Sequence, residues 1–406
     1  MLTPGQVLTL TIDKPAAGGR MIARENGQVV LVSGTIPGER VDARVERVSK
    51  GVAYAQTVVV HEPSSDRRSP SCDPLCGGVL YAHIAYARQL AIKAQVVADA
   101  FARIAKAPLA GPVAVAPSPE DGYRMRARFH VRGGRLGFFR EGTHDLCDVR
   151  ATRQLLPATC DALDRLTAAL RSSGVEGVQG IELSENVDAS ERVVHLDAGP
   201  GVDPRAAARL TATDGFTPGP HVTDRLRFDD GTAIELRRHV LAFFQGNRFL
   251  LRDLVAHVAG QLPADGDVVD LYAGVGLFAL AAAARGARVV AVEGDRFAAA
   301  DLAGNARAGG GTVAAVHQAV EAWAATARSG GDAMVVDPPR TGLSREALDG
   351  LTRLRPPRVV YVSCDVATLA RDTRRLVDAG YASVRVDAFD LFPNTPHVET
   401  VVTFER

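Results

Sequence analysis

The stretch Val269-Asp270-Leu271-Tyr272-Ala273-Gly274-Val275-Gly276-Leu277-Phe278 constrains this chain more than any other. An apolar run of strand length meets two glycines one residue apart and continues into the Ala-rich segment 279–284, which predicts a buried strand, a tight turn and a helix. From about Asp265 the same texture repeats, with strands expected at Val268–Leu271, Arg288–Val292, Ala333–Val336 and Arg358–Val362, then at Ser383–Phe389 and Glu399–Phe404. Strands alternating with helical segments imply an α/β fold, a doubly wound and mostly parallel sheet of Rossmann-like type.

The turn carries a ligand expectation with it. Glycine lets the backbone turn sharply and approach a bound molecule closely. The second strand ends in Glu293, 17 positions past Gly276, where a carboxylate accepts hydrogen bonds from both ribose hydroxyls. Gly-Xaa-Gly alone is weak, but a strand before it, a helix behind it and an acid at the end of strand two point to a nucleoside ligand. Position 279 is Ala where a dinucleotide fingerprint has its third glycine, which demotes a dehydrogenase without removing it. Asp337-Pro338-Pro339-Arg340 closes another strand at the carboxyl edge, where such sheets bind ligands.

Bulk properties narrow the class. With 406 residues, more than one compact unit is expected. A composition of 46% hydrophobic and 23% charged residues is that of an ordinary folded protein, not a disordered one. Net charge is zero, so any phosphate-binding surface must be local. Met1-Leu2-Thr3-Pro4-Gly5 is not the start of a secretory signal, and no apolar stretch approaches bilayer-spanning length, so a cytoplasmic protein without a membrane partner is expected. Five cysteines, Cys72, Cys76, Cys147, Cys160 and Cys364, imply no disulfide framework and are read singly or as a metal-site remnant.

Three domains are expected: 1–60, 61–235 and 236–406. In the first, Val7–Ile12 is β-rich, Asn26-Gly27 separates Met21–Arg24 from Gln28–Val32 as a hairpin turn would, and Pro37-Gly38 leads into Val41–Val48, which together predict a small all-β barrel. Gly18-Gly19-Arg20 and Ile36-Pro37-Gly38-Glu39-Arg40-Val41 resemble the TRAM domain, an RNA-binding barrel of the oligonucleotide-binding type. Pro63 to Pro74 is a polar linker. A central α+β domain follows, with helical periodicity over Tyr86–Ala105 and then a run, Tyr123 to Arg140, that holds six arginines and no acidic residue. A strand there places Arg124, Arg126 and Arg128 on one face and Met125, Ala127 and Phe129 on the other. Such a face is either simply solvated or binds RNA phosphates, and the lack of an intervening carboxylate favours the phosphates.

Tyr361-Val362-Ser363-Cys364-Asp365 puts a cysteine just past an apolar strand, at the same edge as the glycine turn. Most buried cysteines are inert, and spacing alone leaves this one ambiguous. The run Ser363 to Asp372, followed by Asp390-Leu391-Phe392-Pro393-Asn394-Thr395-Pro396-His397-Val398-Glu399, closely resembles the signature of the RNA uracil-C5 methyltransferase family. Asp337-Pro338-Pro339-Arg340-Thr341-Gly342 and Phe243-Phe244-Gln245-Gly246-Asn247 extend the resemblance, which with the TRAM-like start covers nearly the whole chain. It implies a class I S-adenosylmethionine-dependent methyltransferase domain, Cys364 as nucleophile, Glu399 as base, and Gln245, Tyr272, Gly274, Gly276, Glu293 and Asp337 around the cofactor. Carbon 5 of uracil is too weak a nucleophile to take a methyl group from a sulfonium, so a thiolate must first add at carbon 6. A base must then remove the carbon 5 proton so that elimination releases the thiol. The target base has to leave its stack, which favours single-stranded or loop RNA.

One departure stands out. Many TRAM-bearing members hold a [4Fe-4S] cluster on four cysteines, three of them in a Cys-Xaa5-Cys-Gly-Gly-Cys pattern. Here Cys72-Asp73-Pro74-Leu75-Cys76-Gly77-Gly78-Val79 is short in its first spacing and has Val79 at the third ligand position, while Thr152 stands at the fourth and Cys147 lies five residues early. No cluster and no other metal is therefore expected. The TRAM appendage goes mainly with the family's ribosomal enzymes, so 23S ribosomal RNA is the expected partner of a monomeric enzyme, with transfer RNA as the alternative. Two further readings stay open: an amino-group methyltransferase, since Asp-Pro-Pro also occurs where an exocyclic nitrogen is methylated, and a catalytically vestigial RNA-binding or ribosome-assembly protein.

Overall fold

Period-two alternation near the N-terminus is realised as strands: within Val7–Thr11, Leu8 and Leu10 are buried and their neighbours face out. The computed structural model describes residues 2–109 and 111–406. Val7–Thr11, Lys14–Pro15, Met21–Glu25, Gln28–Ser33, Arg40–Ser49 and Val52–Glu62 form one six-stranded sheet, in the spatial order first, fifth, sixth, fourth, third, second. Asn26 and Gly27 have φ of 47° and 81°, the two positive values a type I′ hairpin turn requires. The pairing of Arg40–Ser49 with Val52–Glu62 shifts register three times, and each irregularity bends the sheet.

The periodic segment after the linker is an α-helix over Tyr86–Ala100 that continues as a π-helical turn, Phe101–Ala105. A five-stranded antiparallel sheet follows, ordered Leu146–Cys147, Arg135–Phe139, Arg126–Arg132, Val178–Glu185, Arg192–Ala198. The helix Pro157–Ser172 packs on it through Leu163 and Leu166, against Phe129, Ile181 and Leu183. Cys76 and Cys147 form a disulfide, which corrects the expectation that each cysteine stands alone. They are 71 residues apart in sequence and meet only because the segment after the linker lies along the sheet, so spacing could not pair them. The arginine strand also starts later than expected: Arg124 lies outside it, in an isolated bridge to Asn247.

The last sheet runs Val313–His317, Arg288–Glu293, Asp267–Leu271, Ala333–Val336, Arg358–Ser363, Glu399–Glu405, Ala382–Phe389, Val115–Ala116. Its first five strands are parallel, and Glu399–Glu405 inserts antiparallel beside Arg358–Ser363. Strand order therefore reverses at Asp267–Leu271, whose neighbours lead away on opposite sides, and open α/β sheets bind ligands at such a switch point. The helix Leu277–Ala284 buries Leu277 through Ala282, which explains its uniformly apolar composition. Sequence reading missed Val313–His317, an edge strand whose Ala314, Ala315 and His317 are exposed, and Val115–Ala116, which the central region lends to the far edge. Among the described residues no helix is long and apolar enough to cross a membrane.

Candidate active site

Tyr272, Glu293, Asp337 and Cys364 sit where parallel strands of the last sheet stop, Glu399 where an antiparallel strand starts, and Gln245 in the segment after Ala233–His239. After Asp267–Leu271 the chain passes through Tyr272, Gly274 and Gly276 at φ of 60°, 56° and 98°, and Gly276 caps the helix Leu277–Ala284. A Cβ on Gly276 would lie 2.4 Å from Cδ1 of Leu280 and 2.9 Å from Cδ1 of Leu302. A Cβ on Gly274 would meet nothing nearer than the Phe243 carbonyl at 4.0 Å, so this backbone stays open to a ligand. Glu293 ends the next strand, and its carboxylate accepts from the Gly274 amide at 2.8 Å and from the Asp295 amide at 2.6 Å, holding the turn in place.

Asp337 follows Ala333–Val336. Its Oδ2 accepts from Gln245 Nε2 at 3.1 Å, and burial pushes its carboxyl up to about 7, only partly offset by that bond. Cys364 follows Arg358–Ser363, just before the helix Val366–Asp378, whose N-terminus Asp365 caps by accepting from the Thr368 amide at 2.8 Å. Burial, then Glu399, pushes the Cys364 thiol up to about 12, while the Arg340 guanidinium, in hydrogen-bond reach of the sulfur, pulls it down. Glu399 opens Glu399–Glu405 and is 2% exposed. Its carboxyl lies well above the ordinary range, chiefly through burial and next through Asp337, with Arg340 opposing. Asp270, buried beneath the turn, is raised well above the ordinary carboxylate range by burial and next by Asp337, with the Ala279 amide opposing.

One cavity of about 540 Å³ is lined by Gln245, Tyr272, Gly274, Glu293, Asp337, Cys364 and Glu399, while Gly276 supports it from below. Among the residues without an assigned role in the sequence that also reach it are Arg340, Phe243 and Phe392. Arg340 was visible in its motif, but that its charge acts on both Cys364 and Glu399 depends on two strands meeting. Phe243, 62% exposed, stands at the rim with the Arg126 guanidinium 5.9 Å from its ring centre. The three arginines part company. Arg126 reaches the cavity, Arg124 bonds Gln154 and the Arg126 carbonyl, and Arg128 lies 3.0 Å from Asp197 and 3.6 Å from Glu182. The run lacks carboxylates only in sequence, because the neighbouring strands Val178–Glu185 and Arg192–Ala198 supply them.

The cluster pattern fares differently. Cys76 and Cys147 are joined to each other, Cys72 is free, and among the described residues no group of three or more His, Cys, Asp or Glu side chains converges to hold a metal. These residues do not fit a four-thiolate cluster.

The profile of the TRAM domain matches residues 2–58, and that of tRNA (Uracil-5-)-methyltransferase matches residues 329–406. A 23S rRNA (uracil(1939)-C(5))-methyltransferase RlmD of Pseudomonas putida is 32% identical, over 99% of this chain and 94% of that one. An uncharacterized RNA methyltransferase of Thermosynechococcus vestitus is likewise 32% identical, over 98% of this chain and 97% of its own. Among solved structures, the Pyrococcus abyssi tRNA (uracil-54, C5)-methyltransferase in complex with S-adenosyl-L-homocysteine superposes with a TM-score of 0.77 at 24% identity, covering 97% of this chain and 99% of that one. That likeness carries the fold: a class I methyltransferase domain behind a TRAM domain.

Proposed function

The chain belongs to the RNA uracil-C5 methyltransferase family, and from that membership we propose that it methylates carbon 5 of a uridine in 23S ribosomal RNA, using Cys364 as covalent nucleophile and Glu399 as base. One observation carries the reading: Cys364 and Glu399, from antiparallel neighbouring strands, open into the same cavity as the Gly274 turn and Asp337. An amino-group methyltransferase has no use for a thiol there.

S-adenosylmethionine, when bound, supplies a methyl group made electrophilic by its sulfonium. Gly274 leaves room for that ligand, and Glu293 would hold its ribose, with Asp337 and Gln245 beside the methyl donor. Cys364, its thiolate favoured by Arg340 and by the N-terminus of Val366–Asp378, forms a bond to carbon 6 of the uracil and drives the electron pair towards carbon 5. Once carbon 5 holds its methyl group, Glu399 removes the proton left there, the sulfur–carbon 6 bond breaks, and Cys364 departs as thiolate. Glu399 then gives up its proton to water.

On the same reading residues 1–60 form a barrel of the oligonucleotide-binding type that guides RNA, 61–235 recognise the substrate, and 236–406 perform the chemistry. The enzyme works as a monomer in the cytoplasm and without an iron–sulfur cluster. The whole-length likeness to the RlmD of Pseudomonas putida supports ribosomal over transfer RNA. Mapping 5-methyluridine in ribosomal and transfer RNA from cells with and without the gene tests this: loss of one 23S position is expected, and a loss confined to transfer RNA overturns the ribosomal assignment. Cys364→Ala should abolish transfer, and retained activity would return the amino-group reading.

A further inference from the structure

The segment 390–398, which carries Phe392 to the cavity wall and delivers Glu399, takes four of its hydrogen bonds from the distant helix Tyr86–Ala100, besides others from Arg68, Tyr81, Ala116 and Asn247. Lys93 Nζ donates to Asp390 Oδ1 at 2.5 Å and to the Phe392 carbonyl at 3.1 Å, with the two side chains 1% and 0% exposed. One helical turn earlier, Gln89, also fully buried, accepts at Oε1 from the Asn394 amide and donates from Nε2 to Asn394 Oδ1, both at 2.9 Å. Asn394, at φ 64°, also receives Arg68 Nη2 at 2.8 Å, and its carbonyl accepts from the Tyr81 amide at 2.7 Å.

Nothing about stability requires a lysine and an aspartate here. Taking both charges out of water is costly, and an apolar pair of similar volume often serves a core as well or better. What the ion pair does that an apolar pair would not is fix direction: Nζ grips a side-chain oxygen at the start of the loop and a carbonyl two residues later, so the chain has one way to run towards Glu399. Among the described residues no hydrogen bond to its side chain orients the base itself.

We propose that Lys93 is a positioning residue for the proton-removal step, acting through Asp390 and the loop to aim Glu399, and with it Phe392, at the bound uracil. This rests on Glu399 being the base. The helix after the linker is thereby part of the catalytic apparatus of a sheet whose parallel strands begin some 170 residues later, from Lys93 to Asp267.

The test separates methyl transfer from proton removal. Full-length Lys93→Met, the charge-free pair Lys93→Met with Asp390→Leu, and Glu399→Gln are each given labelled S-adenosylmethionine and ribosomal RNA, from cells lacking the gene, tritiated at carbon 5 of uridine. For both Lys93 variants the expected result is an initial burst of methyl transfer near wild type, tritium release slowed by about 10- to 100-fold, as a misplacement of about 1 Å commonly costs, and accumulation of covalent RNA complex. KM for RNA should change little while kcat falls. Should Lys93→Met fail to fold because Asp390 is left buried and unpaired, the charge-free pair decides, since it strands no charge. Tritium release keeping pace with methyl transfer at the wild-type rate in the charge-free pair overturns the proposal. If Glu399→Gln also keeps pace, the base has been misassigned; if Glu399→Gln alone stalls, only the role of Lys93 falls.

Discussion

Gln245 donates a hydrogen bond from Nε2 to Oδ2 of Asp337, at 3.1 Å, and among the described residues it is the one side-chain donor that this buried carboxyl has. A single neutral donor does not offset full burial, and Asp337 in turn raises Glu399. The ligand-free site thus shifts both carboxyls towards their protonated forms, whereas a base must be ionised to take up a proton.

A sulfonium next to Asp337 would reverse this, since a nearby positive charge favours the ionised form. Binding of S-adenosylmethionine should therefore release protons. The sign follows from the raised starting point: below about 7 Asp337 is protonated and binding must displace a proton, so affinity rises with pH by up to about tenfold per unit for the proton displaced, and levels off above it. S-adenosylhomocysteine, a neutral thioether, should show a much flatter profile. Calorimetry in two buffers of different ionisation enthalpy measures the protons directly; equal release for both ligands would sink the argument.

The two glycines of the turn should fail in different ways. Alanine at either position is strained by about 1 to 2 kcal/mol because φ is positive. Gly276→Ala also drives a methyl into Leu280 and Leu302 and should lose the greater share of thermal stability, whereas Gly274→Ala points its methyl into the cavity. Gly274→Ala should keep most of its Tm and lose cofactor affinity disproportionately. Thermal melts with and without S-adenosylmethionine check this, and a Gly274→Ala protein that is still stabilised normally by the cofactor refutes it.

Strand ends were the readable part of this molecule. Tyr272, Gly274, Glu293, Asp337 and Cys364 each follow an apolar run that forms a strand on local grounds, and a parallel sheet brings those ends to one edge whatever the remainder does. Glu399 was readable only through its resemblance, because it starts an antiparallel strand after a loop. What sequence could not show depends on meetings between distant segments: Lys93 with Asp390, Cys76 with Cys147, and Val115–Ala116 added at the sheet's far edge. The arginine run is the instructive case, since its charges alternate as expected while Glu182 and Asp197 come from strands paired beside and beyond it.

The pairing differs in degree: Glu182 lies 4.0 Å from Arg126 and 3.6 Å from Arg128, and Asp197 engages Arg128 as well. Arg128, engaged by two carboxylates on a solvated face, should contribute little to RNA binding, whereas Arg126, at the cavity rim over Phe243, should contact the substrate. Arg126→Ala should flatten the log-log salt dependence of RNA affinity by about 0.7 to 0.9, one phosphate contact, and Arg128→Ala should leave the slope near wild type. Filter binding across a salt series distinguishes them. Equal effects would restore the continuous patch that the sequence suggested.

The sharpest prediction concerns Glu399, because the proposed mechanism gives it work only after the methyl group has moved. Glu399→Gln preserves shape and removes the basic oxygen, and since the carboxyl is held well above its ordinary range in the empty site, the neutral amide should fold at least as stably as the native side chain. Cys364 should still add at carbon 6 and the methyl should still transfer, yet the carbon 5 proton would stay and elimination would stall. The enzyme should then be trapped on its RNA, as a complex that survives denaturant on a gel and disappears when Cys364 is also replaced. Losing the base commonly costs about 10²- to 10⁴-fold, so turnover should fall by that order while the first methyl transfer does not. Should Glu399→Gln turn over at the wild-type rate, the base is another carboxyl at this edge, and Asp337, which shares the cavity with Cys364, is the first to replace.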